Sequence, residues 1–191
     1  KIRKPSADNS LLSVTVGNEE FSKVATREAG TNNFKVNISD KYSEVDVIGT
    51  ASYDQAKVSV NGEEYETKIS TKLIEIGENE PTTVEILVKA INGDVATYTL
   101  EIYKEDSNTS LKEVTVDGNK AELSQIAEDT YEYTLDKVAT SLTIGAITQE
   151  PTSKVGINTN EQEVGGTYRD VRMEGRTLTV SIPVTAEDGT T

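Results

Sequence analysis

Residues 84–103 read VEILVKAINGDVATYTLEIY, and this stretch decides the fold. Apolar side chains alternate on the way in, at Val84, Ile86, Val88 and Ala90, and again on the way out, at Tyr98, Leu100 and Ile102. Between them stands Asn92-Gly93, a dipeptide that accepts the positive φ values of a tight hairpin turn. A period of two puts each apolar set on one face of its strand, so the two sets predict one buried face of a β-hairpin. The first half recurs at the end of the chain. Val180, Ile182, Val184 and Ala186 lead to Asp188-Gly189 at an offset of 96, and the sequence stops at Thr191. The second hairpin therefore has no returning strand in this sequence.

The recurrence divides the 191 residues into two units of about 95 residues each, ample for a β-sandwich. The apolar fraction is 35%, drawn largely from Val and Ile, and Thr and Tyr are plentiful, which favours strands over helices. The expected class is all-β. A net charge of −14 repels a phosphate backbone and an anionic lipid surface, so nucleic acid is excluded as a partner. No apolar run of about 20 residues is present, which argues against membrane insertion by a helix. Cysteine is absent, which rules out a disulfide scaffold and thiolate metal sites. Secreted proteins built without disulfides and cytosolic proteins share that property.

The opening residues KIRKPSADNSLLSVTV align with EIYKEDSNTSLKEVTV from Glu101 at a constant offset of 100. Lys1–Lys4 thus correspond to the tail of a returning strand. The expectation is a piece of a longer tandem array, with 1–6 the tail of a preceding repeat, 7–105 the first unit and 106–191 the second. Leu12, Val14 and Val16, with counterparts Lys112, Val114 and Val116, predict the opening strand, with Leu11 and Leu111 on the opposite face. Phe21 with Val24, and Leu123 with Ile126, are apolar residues three apart. They suit either one helical turn or a loop with two anchors. Phe34, Val36 and Ile38 match Tyr131, Tyr133 and Leu135 at an offset of 97, as Val45 and Val47 match Leu142 and Ile144, and Lys57-Val58 matches Lys154-Val155. The second, third and fourth strands should then be equivalent in both units. The copies diverge between Asn61 and Val84 and between Asn158 and Val180, which predicts surface loops with further strands at Lys72–Ile76 and Thr167–Met173. Glu105–Thr109 is polar and predicts a linker of about 18 Å reach, setting the sandwiches end to end.

A unit that opens L-x-x-[VL]-T-V, carries F/Y-x-V/Y-x-I/L, then K-V-x-[VI]-N, and closes V-x-[AI]-x-[ND]-G before Y-T-L-x-I-Y resembles the cadherin-like β-sandwich repeat of bacterial surface proteins. Val184–Thr191, VTAEDGTT, is its most characteristic piece. The resemblance implies two tandem Ig-like, seven-stranded β-sandwiches, the second lacking its last strand in this chain. It also implies a secreted or wall-attached protein in which such units stand beside other domains of the same polypeptide.

Histidine is absent along with cysteine, which removes the usual general base, the usual triads and nitrogen- or sulfur-ligated metals. The carboxylates are spread over alternating positions and turns, as on a solvated sandwich surface, and Gly165-Gly166 opens no helix. Cadherins proper bind calcium at domain junctions. Here the junction offers Glu105, Asp106 and Asn108, with Glu128-Asp129 nearby, and reads better as a solvated acidic linker. No catalytic, cofactor-binding or metal residue is assigned. A sugar site would use exposed aromatic rings, and tryptophan is absent. Tyr98, Tyr131 and Tyr133 fall on predicted inward faces, leaving Tyr42, Tyr53, Tyr65 and Tyr168 as exposed candidates. The expected function is a non-enzymatic spacer and interaction module at the cell surface, its partners the neighbouring domains. The second reading is a carbohydrate-binding module whose loops at Gly62–Thr83 and Glu161–Thr177 contact a cell-wall or other polysaccharide. The missing strand should be supplied by residues beyond Thr191 or by another molecule, such as a strand beginning at Lys1.

Overall fold

The alternation in 84–103 becomes two paired strands in the computed structural model, which describes residues 4–78, 80–124 and 129–191. The chain divides into two units, Lys1–Glu105 and Asp106–Thr191. Among the described residues every regular element is a strand.

Unit 1 is built from seven main strands: β1 (Leu11–Gly17), β4 (Asn33–Ser39), β5 (Glu44–Ala51), β6 (Lys57–Val60), β8 (Ile69–Glu75), β9 (Thr82–Lys89) and β10 (Val95–Glu105). Three short ones join them: β2 (Ser22–Val24), β3 (Thr26–Arg27) and β7 (Glu66–Thr67). One sheet has the order β2-β1-β5-β8 and the other β3-β4-β10-β9-β6-β7. Pairing is antiparallel except between β4 and β10, which run parallel with Asn33–Ser39 opposite Thr99–Glu105. Inward positions of both sheets meet in one core, where Val14, Val47, Val58, Ile86, Leu100 and Ile102 are almost fully buried. Burying a large apolar side chain stabilises by about 1.5–3 kcal/mol, so Leu100 and Ile102 make β10 a main contributor.

Two expectations about unit 1 are corrected. Leu11 shares the buried face with Val14 and Val16, whereas Leu12 is 63% exposed. The cause is a β-bulge: the pairing with β5 slips between Leu11 and Ser13, and one extra residue reverses the alternation before it. The Phe21–Val24 segment is neither a helical turn nor a loop. It pairs with β1 as β2, then crosses at buried Ala25 to pair with β4 as β3, so one stretch of chain serves both sheets. The strand expected at Lys72–Ile76 is present as β8, which starts earlier, at Ile69, follows the short β7 and pairs along β5 from Glu44 to Thr50.

Unit 2 repeats the first sheet closely: β11 (Leu111–Val116), β12 (Asn119–Lys120), β15 (Ser141–Thr148) and β18 (Gly166–Arg172) stand in the order β12-β11-β15-β18. The bulge recurs, between Leu111 and Glu113. The strand expected at Thr167–Met173 is present as β18, and the rest of 161–177 adds the two-residue β17 (Glu163–Val164). The second sheet is reduced to β17, β16 (Lys154–Val155) and β19 (Val184–Thr185), beside a separate pair of β13 (Glu122–Leu123) and β14 (Tyr131–Glu132). The expected equivalence of the second strand therefore fails: β4 spans seven residues and β14 only two. In unit 1, β4 is held by β10. Unit 2 has no counterpart of β10 among its described residues, and without that partner the backbone after Glu132 makes no ladder. Burial follows. Val36 and Val84 are buried, while their counterparts Tyr133 and Val180 are exposed and half-buried, respectively. Tyr133 thus corrects the prediction of an inward ring. Ile126 and Glu128 lie outside the described residues.

Candidate functional site

The tyrosines separate by the jobs their rings already perform. Tyr98, in β10, is 4% exposed, and its hydroxyl accepts from the Leu11 amide at 3.2 Å and donates to the Asn9 carbonyl at 3.1 Å. It ties the incoming chain, at its bulge, to the opposite sheet. Arg27 lies over this ring and that of Phe34, 5.6 and 5.8 Å from the two centroids, a role for which the sequence holds no local signal. Tyr131 donates to the Leu111 carbonyl at 3.4 Å, a looser tie in unit 2. Of the four exposed candidates, Tyr42 is half-buried and stacked on Phe21 at 4.4 Å, and Tyr53 is half-buried against the core. Tyr168 is 66% exposed, yet it stands opposite Gly145 across the β15–β18 ladder. A Cβ at Gly145 would come within 2.5 Å of its ring. The ring covers a bare stretch of backbone. Tyr65 remains, and it borders a shallow depression of about 340 Å³ lined by Gln55, Lys57, Lys89, Ala90 and Ile91, with the Lys89 ammonium 5.8 Å from its centroid.

A second depression, about 450 Å³, runs between β2–β3 and β4 past Lys23, Lys35, Asn37 and Glu105. Beside it Lys35 bonds Glu28 at 2.8 Å and approaches Glu101 at 3.7 Å, while the Tyr103 hydroxyl donates to Glu101 at 2.7 Å. The Lys35 hydrogen bond and charge hold the Glu28 carboxyl below its usual range, and Glu28 in turn raises Lys35. The Tyr103 hydroxyl is raised chiefly by its bond to Glu101, which favours the protonated phenol. These groups are solvated and mutually satisfied. They form a surface ion-pair network with no nucleophile poised beside a base.

The predicted acidic linker proves to be bonded structure. The Asp106 and Asn108 side-chain oxygens accept from the amides of Asn108 and Ser110 at 2.7 and 2.8 Å. The Asn108 carbonyl accepts from Ser153, and the Asp106 carbonyl from the Asp188 amide at 3.1 Å. Unit 1 repeats the device at an offset of 100: Asp8 accepts from the Ser10 amide, and the Ser6 carbonyl from the Asn92 amide at 3.1 Å. Each unit thus binds its incoming arm to its own hairpin tip. Among the described residues no three carboxylates gather where they could hold a metal ion.

The sandwich topology now has a match among known families. The model of the cadherin-like beta sandwich domain fits residues 9–105, more than half of the chain. The chain belongs to the cadherin-like β-sandwich family. Members are typically non-enzymatic and usually extracellular, and the cadherin-like fold makes this chain a structural and interaction module. No curated protein and no solved structure matches the chain. Among the described residues no helix of this cadherin-like chain is long and apolar enough to cross a membrane.

Proposed function

We propose that the chain is a load-bearing spacer of a multidomain extracellular or cell-surface protein, whose partners are the neighbouring domains of the same polypeptide. One observation carries this reading. Unit 1 receives the chain at one end and releases it at the other. The incoming arm is bonded to the β9–β10 turn through Ser6 and Asn92 and to the start of β10 through Leu11 and Tyr98. The outgoing chain leaves at Glu105, whose carbonyl bonds the Asp40 amide at the far end of β10. An eleven-residue strand separates the two points by roughly 33 Å at about 3.3 Å per residue. Tension along the chain would draw β10 lengthwise past β4 and β9, loading many ladder hydrogen bonds together.

Pulling the whole chain from its two ends in a single-molecule force experiment tests this. Unit 1 should resist as one block and then yield an extension of roughly 300 Å, from about 95 residues at about 3.5 Å each less the folded length. Gradual lengthening of unit 1 at low force would refute the spacer reading.

A second reading, carbohydrate binding, is favoured by the depression beside Tyr65, where one ring meets Gln55 and two lysines. It takes a polysaccharide as partner, and binding on a glycan array that disappears in Tyr65→Ala would establish it. An array with no signal removes it.

A further inference from the structure

Among the described residues four strands end the two sheets of unit 1, and they are protected unequally. An edge strand offers unpaired amides and carbonyls to any second chain, so its length and side chains decide whether it recruits one. β2, β3 and β7 are blunt, with three, two and two residues. β8 spans seven residues, contains no proline, and turns Ile69 and Leu73, 47% and 55% exposed, to the outside. The ladder shows which of its groups are open. The Lys68 carbonyl accepts from the Ala51 amide, and the Ile76 amide donates to the Ser43 carbonyl, both toward β5. Backbone groups alternate along an antiparallel strand, so those of Ser70, Lys72 and Ile74 face β5, and those of Ile69, Thr71, Leu73 and Glu75 face the open edge.

One residue on the inner face of β8 departs from a strand built for burial. Ser70 and Ile74 are buried, and between them stands Lys72, opposite the buried Val47. Its ammonium crosses to the turn after β6 in the other sheet, 2.6 Å from Glu63 Oε1 and 3.4 Å from the Asn61 carbonyl. Unit 2 repeats the placement. β18 also spans seven residues and ends its sheet, and it sets Arg169 opposite the buried Ile144, between Thr167 and Val171. Arg169 donates to the Ile157 carbonyl at 3.1 Å. One offset of 97 relates Lys72 to Arg169 and Val47 to Ile144.

Each cation is the central residue of its strand, and that decides what it would oppose. When two copies meet edge to edge about a two-fold axis, in full antiparallel register, the central residue of each strand faces itself. β8 on β8 opposes Lys72 to Lys72, and β18 on β18 opposes Arg169 to Arg169. β8 on β18 opposes one cation to the other. Like charges directly across a ladder are destabilising, and at the half-buried rim between two sheets they are screened less than in open solvent. Slipping the register relieves the opposition only by shortening the ladder.

We propose that β8 and β18 are latent self-pairing edges and that Lys72 and Arg169 guard them. The inward cations keep each edge from taking the same strand of a second copy, so that chains held side by side stay separate. Glu63 and the Asn61 and Ile157 carbonyls hold the guards in place across the gap between the sheets.

The test is analytical ultracentrifugation of the whole chain in about 0.15 M salt, with the amide signals of Val14 and Val47 as the check that unit 1 is folded. Lys72→Val replaces the cation by a strand-forming apolar side chain, and should tighten self-association at least roughly tenfold over the unmodified chain. Adding Thr71→Pro removes an amide of the open edge without touching the β5 ladder, and should return Lys72→Val to a monomer. Arg169→Val makes the same measurement on β18, with the Val114 and Ile144 amides as its folding check, and stands independently if Lys72→Val does not fold. Either single variant, folded and still monomeric at about 1 mM, overturns the proposal. So does association of Lys72→Val that Thr71→Pro leaves unchanged, since another surface would then be pairing. Protection of the Thr71 and Leu73 amides that rises with concentration in the unmodified chain would overturn it too, because the edge would be open with its lysine in place.

Discussion

Replacing Leu11 and Leu12 by alanine, one at a time, measures whether the bulge in β1 reverses the face of its opening residue. A strand read by alternation puts Leu12 with Val14 and Val16, so Leu12→Ala should be the damaging change. The structure gives the opposite order. Leu11 is 4% exposed and joins the main core, and truncating a buried leucine costs about 2–5 kcal/mol. It sits at the rim of the core beside Tyr98, where neighbours can partly collapse, which places the cost in the lower half, about 2–3 kcal/mol. Leu12 is 63% exposed, and its truncation should fall within about 0.5 kcal/mol of zero. The assay is urea unfolding of the whole chain followed through the NMR amide signals of Val14 and Val47, which report unit 1 alone. With a denaturant slope of roughly 1–1.5 kcal/mol per molar, Leu11→Ala should lower the midpoint by about 2 M and Leu12→Ala should hardly move it. A larger loss from Leu12→Ala than from Leu11→Ala would refute the bulged register.

Tyr98→Phe keeps the ring and removes the hydroxyl that bonds Asn9 and Leu11, leaving a buried amide unpaired. Unit 1 should lose about 1–2 kcal/mol in the same urea assay, and an unchanged midpoint would mean that the bond contributes nothing. The Ser70 hydroxyl is buried in β8 with no hydrogen-bond partner among the described residues, so Ser70→Ala should raise the stability of unit 1 by about 1 kcal/mol; a loss would show that the hydroxyl is satisfied. Glu28 is held below its unfolded value by Lys35, so its contribution is present above an unfolded pKa of about 4.3 and is lost as pH falls through the lower folded value. An NMR carboxyl titration should show the Glu28 midpoint rising in Lys35→Met, and an unmoved midpoint would contradict the pairing.

Strands carry their own signature wherever one face is buried and one is wet, which is why β5, β9 and β10 could be read from Val45, Val84 and Leu100 and their neighbours. The bulge at Leu11 could not, because an added residue inverts a period of two without changing composition. The crossing at Ala25 was hidden for a related reason. Val24, in β2, is exposed, so Phe21 and Val24 share no buried face and their spacing carries no information. The strands expected at Lys72–Ile76 and Thr167–Met173 are present as β8 and β18, although β8 starts earlier, at Ile69. These strands flank their sheets, where Ile69 and Leu73 are exposed and alternation is weak. The exposure of Tyr133 depends on a neighbour, not on its own segment: its local pattern matches Val36, and only the strand beside it differs. For the candidate surfaces, exposed tyrosines were legible as a residue type. Their occupation was not, since the Tyr42 stack on Phe21 and the cover of Gly145 by Tyr168 are made between segments distant in sequence.

Amide hydrogen exchange along the chain tests the central claim, that one sandwich pattern is written twice and that, among the described residues, its second sheet is fully laddered only in unit 1. The ladder amides of Val84, Ile86, Val88, Leu100 and Ile102 should exchange as one slow block, while Val180 and Ile182, their counterparts in unit 2, exchange much faster, though the first sheet of unit 2 remains protected at Val114 and Ile144. Equal protection of Val84 and Val180 in a dilute chain would contradict the account, as would fast exchange throughout β9 and β10.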